Sequence, residues 1–155
     1  MELIKNIINI SLIIILSLNI LFYILTKYIK HNRKCLKKNN INLDYQSLKI
    51  IFTKYSSFLL SGLIILNYFV PIHKIVLKIP LISSIYSLII LIIIITQTIY
   101  LIGIIKEISN NTKKTQCFKS LNFIFKFNIN KLIIKYKYKI SLAYIFLTYI
   151  CLIYI

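Results

Sequence analysis

Long uncharged apolar runs alternate with basic stretches along this chain. Asn6 to Thr26, Tyr55 to His73 and Ile79 to Ile105 contain no acidic or basic side chain other than a histidine. A helix rises 1.5 Å per residue, so about 20 such residues cross a ~30 Å hydrocarbon core, and each run predicts a membrane-spanning helix. A fourth run, Ile140 to Ile155, is uncharged over sixteen residues, and predicts a short fourth span of about 24 Å. The expected fold is an all-α integral membrane protein. It forms a single membrane domain, 1–155, with four transmembrane helices at about 6–26, 55–73, 79–105 and 140–155. Two basic inner loops, 27–54 and 106–139, connect them.

Punctuation within the pattern supports the hairpin between spans two and three. Pro71 and Pro80 bracket the short turn, each at a helix boundary where a missing N–H does least harm. The first run is longer than the apolar core of a signal peptide and has no small-residue cleavage site, so it is expected to remain as the first span.

Charge turns the spans into an orientation. Eight basic residues lie between Lys27 and Lys54 and nine between Lys106 and Lys139, against Lys5, Lys74 and Lys78 on the other face. Such a bias predicts the long loops on the inner side and both termini outside. The first loop divides into a basic head, Lys27 to Lys38, which extends span one as a solvated helix, and a mixed tail to Lys54. In the second, Phe118 to Lys139 interleaves apolar residues with lysines, a pattern suited to the plane of the membrane interface. Candidate contacts to anionic lipid or a partner's acidic surface are Lys27, Lys30, Arg33, Lys34, Lys37, Lys38, Lys113, Lys114, Lys135, Lys137 and Lys139. The net charge of +17 does not point to nucleic acid, because phosphate binders do not separate their basic patches with spans of isoleucine and leucine.

The spans contain no Asp, Glu, Lys or Arg at depth, and His73 sits at a rim. Proton relays, haem ligation and charge-coupled transport ordinarily need such groups. Two glycines, two histidines and one aspartate also exclude a Gly-rich phosphate loop and a Ser-His-Asp set. No catalytic, cofactor or metal site is expected. What remains polar is amide and hydroxyl. Asn19, Ser61, Gln97 and Thr148 lie seven to nine residues from the nearest inner-face lysine, so they are expected to share one layer, pairing across helices because lipid offers no partner. Asn67 and Ser84 are expected to meet near the opposite face. Ser57 with Ser61, and Ser83 with Ser87, have the four-residue spacing of small residues that admits close helix approach.

Composition adds a resemblance. Hydrophobic residues make up 59% of the chain, lysine outnumbers arginine nineteen to one, and Glu2, Asp44 and Glu107 are the only acids. In this the chain resembles, by composition, the small hydrophobic respiratory-complex subunits encoded in A/T-rich protist mitochondrial genomes of the ciliate type. That resemblance implies a structural or accessory subunit of a respiratory complex or ATP synthase in the mitochondrial inner membrane, packed against other membrane subunits and binding anionic phospholipid such as cardiolipin. A small oligomeric transporter or channel from an A/T-rich bacterium fits the same spans. Cys35, Cys117 and Cys151 form no CxxC pair and are expected to be free thiols.

Overall fold

A computed structural model describes residues 1–38, 47–70, 74–75, 78–109 and 135–153. The described residues are helical, without a strand, in the order α1 (Glu2–His31), α2 (Arg33–Lys38), α3 (Leu48–Phe69), α4 (Pro80–Ser109) and α5 (Lys137–Ile153). Three of these helices, α1, α3 and α4, are long and apolar enough to cross a membrane, so the chain is a multi-pass membrane protein.

The helices extend beyond the uncharged runs. α1 has 30 residues, about 45 Å, so both ends project past a ~30 Å core. Glu2 lies in its first turn and Lys30 in its last, each with the sign that suits the helix dipole. At Asn32 the side-chain Nδ2 donates to the Tyr28 carbonyl over 3.1 Å. Such local bonding competes with helix continuation, and α2 follows as a separate turn of lysines. α3 begins at Leu48, seven residues before the expected boundary at Tyr55, and ends at Phe69 instead of His73. The lysines at 49 and 54 conceal this early start from hydropathy, because long lysine stems lie along apolar surface while their ammonium groups reach water. Pro80 opens α4, the position where proline fits a helix without losing a hydrogen bond. α5 is 17 residues long.

Four helices close into a ring: α1 packs on α3, α3 on α4, α4 on α5, and α5 back on α1. Neighbours are antiparallel. Thr26 to Lys30 of α1 lie beside Ile50 to Tyr55 of α3, and Leu12 to Leu16 beside Ile64 to Phe69. Beside Ser56, Thr98, Leu152 and Ile153, the buried positions recur in steps of three and four. They are Ile15, Asn19, Thr26 and Ile29 on α1, with half-buried Phe22 between them; Ile50, Thr53, Ser57, Leu60, Ile64 and Asn67 on α3; Ile90, Ile94, Gln97, Leu101 and Ile104 on α4; and Tyr144, Thr148 and Cys151 on α5. Such stepping is that of a heptad seam.

The bundle is more polar inside than a soluble one. Asn19, Thr53, Ser57, Gln97 and Thr148 are all fully buried, while Ile13, Leu21, Phe58, Ile92 and Ile99 are exposed. Water would not tolerate so continuous an apolar surface, whereas lipid does. One sequence expectation is corrected at the basic end. Cys35 is disulfide-bonded, with its partner outside the described residues, while Cys151 is buried and free. Spacing along a chain does not report approach in space, so the absence of CxxC did not reveal the bond.

Candidate functional site

Each helix of the ring contributes one polar side chain to a buried network. Gln97 of α4 is central: its Nε2 donates to Ser57 Oγ of α3 at 2.9 Å and to Asn19 Oδ1 of α1 at 3.2 Å. Its Oε1 accepts from the Tyr144 hydroxyl of α5 at 2.7 Å, and that hydroxyl is 3.4 Å from Asn19 Oδ1. Asn19 Nδ2 turns back to the Ile15 carbonyl at 2.9 Å. The ring of Tyr144 stands edge-on to Phe22 with centroids 5.8 Å apart, which fixes the hydroxyl's direction. Chemically this is a set of neutral donors and acceptors consumed by one another. Interhelical bonds of this kind hold bundles together in lipid.

The layer differs in two members from the expected set. Ser57 stands where Ser61 was expected, and Tyr144 where Thr148 was. Counting depth from the nearest lysine assumed that all lysines lie on one plane. Lys54 is half-buried within α3, so the serine one turn nearer to it is the one Gln97 reaches. Tyr144 was missed because its ring reads as apolar in a hydropathy pattern, which hides the hydroxyl. Its signal was helical phase: Tyr144, Thr148 and Cys151 share one face.

Thr148 lies on that face, fully buried, and its hydroxyl has no hydrogen-bond partner. An unpaired buried hydroxyl costs free energy, so Thr148→Val, which keeps the shape, is expected to be neutral or stabilising by up to about 1 kcal/mol. The check is the rate at which buried Cys151 reacts with a thiol reagent in detergent. A faster rate in the variant would show that the hydroxyl contributes a bond.

Asn67 does not meet Ser84. Asn67 Nδ2 points to the Leu152 carbonyl of α5 at 3.5 Å, while the exposed Ser84 Oγ donates to the Pro80 carbonyl of its own helix at 3.0 Å. Of the paired serines, Ser57 is buried, and Ser61, Ser83 and Ser87 are half-buried. Ser87 Oγ donates to the Ser84 carbonyl. Hydroxyls at Thr26, Thr53 and Thr98 likewise donate to carbonyls within their own helices, which satisfies them without joining helices.

The basic residues gather at the end where α1 finishes and α3 begins. Lys27, Lys30, Arg33, Lys34, Lys37 and Lys38 belong to α1 and α2, and Lys135, Lys137 and Lys139 stand at the start of α5. Lys113 and Lys114 lie outside the described residues. Lysine ammonium groups stack on neighbouring tyrosine rings here: Lys27 on Tyr23 at 5.1 Å, Lys54 on Tyr55 at 5.5 Å and Lys137 on Tyr138 at 5.0 Å. Such pairs suit the head-group plane, where rings are half in lipid and cations meet phosphate. No family model, no curated protein and no solved structure matches this chain.

Proposed function

We propose that this chain is a structural, non-enzymatic subunit of a larger membrane assembly, of the kind found among energy-transducing complexes of the mitochondrial inner membrane. The observation that carries this reading is the polar layer: its groups are neutral, buried and bonded across all four helices. Such a layer fixes helix register and has no Asp, Glu, Lys, Arg or His at its centre to move a proton or coordinate an ion. It also counts against a pathway for a neutral solute, because a conducting path needs polar groups free to exchange partners.

In this reading the outward isoleucines meet lipid or neighbouring subunits, and the basic end faces the matrix side. α5 completes the set of crossings, with Lys139 on the inner side and the end of the helix on the outer. The test of assembly is mild-detergent extraction followed by native electrophoresis and mass spectrometry. Co-migration with other membrane subunits is expected, and migration as a free 18.3 kDa chain or a small homo-oligomer overturns the proposal. The crossing is tested with a protease-sensitive tag fused after residue 155. It is expected on the same side as a cysteine label at Lys78→Cys and opposite one at Lys34→Cys. A tag on the Lys34 side would place α5 back at the inner surface.

A further inference from the structure

The α1–α3 groove at the basic end joins two different surfaces. Its mouth, a cleft of about 550 Å³, is lined by Lys27, Lys30, His31, Arg33, Lys34 and Lys54. A second hollow of about 210 Å³ shares Lys27, Lys30 and Lys54 and is floored by Thr26, Ile50, Ile51 and Tyr55. The floor opens sideways, since Ile51 and Tyr55 are 40% and 63% exposed. One turn deeper, Tyr23 and Phe58 continue the same apolar track across the two helices, their rings 6.4 Å apart.

We propose that this groove is a specific site for an anionic phospholipid, its phosphate among Lys27, Lys30 and Lys54 and one acyl chain running over Ile51, Tyr55 and Phe58. The site rests on the reading of this chain as a membrane subunit only in that the groove must face a bilayer. Two of the three lysines are already oriented. Lys27 and Lys54 lie over Tyr23 and Tyr55, and an ammonium held on a ring face through one or two of its three N–H groups keeps the remainder for a phosphate. An acidic protein surface would satisfy the mouth but leave the apolar floor uncovered. A free anion would do the same. A phospholipid alone among these has a charged end and an apolar end at the required separation.

The test uses the full chain in a neutral detergent, with native mass spectrometry reading retention of phosphatidylglycerol, phosphatidylcholine or inorganic phosphate. Retention of phosphatidylglycerol is expected, with little of the zwitterionic lipid and no competition from phosphate. Lys27→Gln/Lys30→Gln/Lys54→Gln is expected to weaken retention by about fivefold per lysine, on the order of a hundredfold together. Lys5→Gln/Lys74→Gln/Lys78→Gln, with the same charge change away from the groove, should alter it less than about fivefold. Equal losses in the two triple variants, equal retention of phosphatidylcholine, or displacement by phosphate would each overturn the site. Should the first triple variant fail to fold, Lys54→Gln alone, expected about fivefold weaker, decides the matter. A chain that migrates alone yet still retains the anionic lipid would overturn the subunit reading and leave this site standing.

Discussion

Replacing Gln97 with leucine is expected to loosen the bundle by about 2 to 3 kcal/mol, the sum of three interhelical bonds at about 0.6 to 1 kcal/mol each. The estimate is a lower one, because leucine also strands the Tyr144 hydroxyl and Asn19 Oδ1 in a water-free interior. Nature supplies the reporter: Cys151 is free and only 2% exposed on the same seam. Its reaction with a thiol reagent requires local opening, so its rate tracks the stability of the packed state. At 1.4 kcal/mol per tenfold change, Gln97→Leu should speed labelling by about 30- to 150-fold. Tyr144→Phe keeps the ring against Phe22 and removes only the hydroxyl, so a smaller rise, about 3- to 5-fold, is expected. An unchanged Cys151 rate in Gln97→Leu would mean that the amide is not holding the helices together.

Hydropathy located the spans but could not phase them. In a soluble bundle the apolar positions mark the seam; here the outward positions are just as apolar. Within one run of α4, Ile94 is buried while Ile92 and Ile95 are exposed, and nothing in residue type separates them. The polar residues carry the phase instead. Asn19 and Thr26 are seven apart, Thr53 and Asn67 fourteen, and Tyr144 and Thr148 four, all spacings of a single heptad face. The buried amides and hydroxyls thus follow the seams of α1, α3 and α5, although the exposed Asn6, Asn9 and Ser17 of α1 show that polar type alone does not mark the inside. On α4 the adjacent Gln97 and Thr98 leave the phase ambiguous by one residue, about 100° of rotation. Only contact with Asn19 and Ser57 resolves it.

Charge was legible in a complementary way. Gathering lysines by end of the bundle needed only the spans, and the described lysines sort as the runs predict, with Lys5, Lys74 and Lys78 apart from the rest. What the charges obscured was helix length. Lys49 and Lys54 end an uncharged run without ending a helix, because a long lysine stem can cover apolar surface while its ammonium group reaches a polar environment. The same half-buried Lys54 displaced the depth count by one turn, and it is also the α3 contribution to the basic groove. A lysine that interrupts hydropathy early in a helix thus marks a place where cation and apolar surface adjoin.

Ser57→Leu and Ser61→Leu, one turn apart on α3, should have opposite outcomes. Both serines fit a small-residue spacing in sequence, yet Ser57 is fully buried and accepts from Gln97, while Ser61 is half-buried outside the network. Leucine at 57 must force apart α1, α3 and α4 at their shared contact, an overpacking cost of about 1 to 3 kcal/mol, and it removes a bond of about 0.6 to 1 kcal/mol. The total, about 2 to 4 kcal/mol, predicts Cys151 labelling roughly 30-fold faster or more. At position 61, half-buried and outside the network, a leucine displaces no bonded group and adds apolar surface suited to a bilayer, so labelling should stay within about twofold of the parent or slow. Equal acceleration by the two variants would show that the helices approach along the whole Ser57–Ser61 face, and that the polar layer is not the point around which the bundle is held.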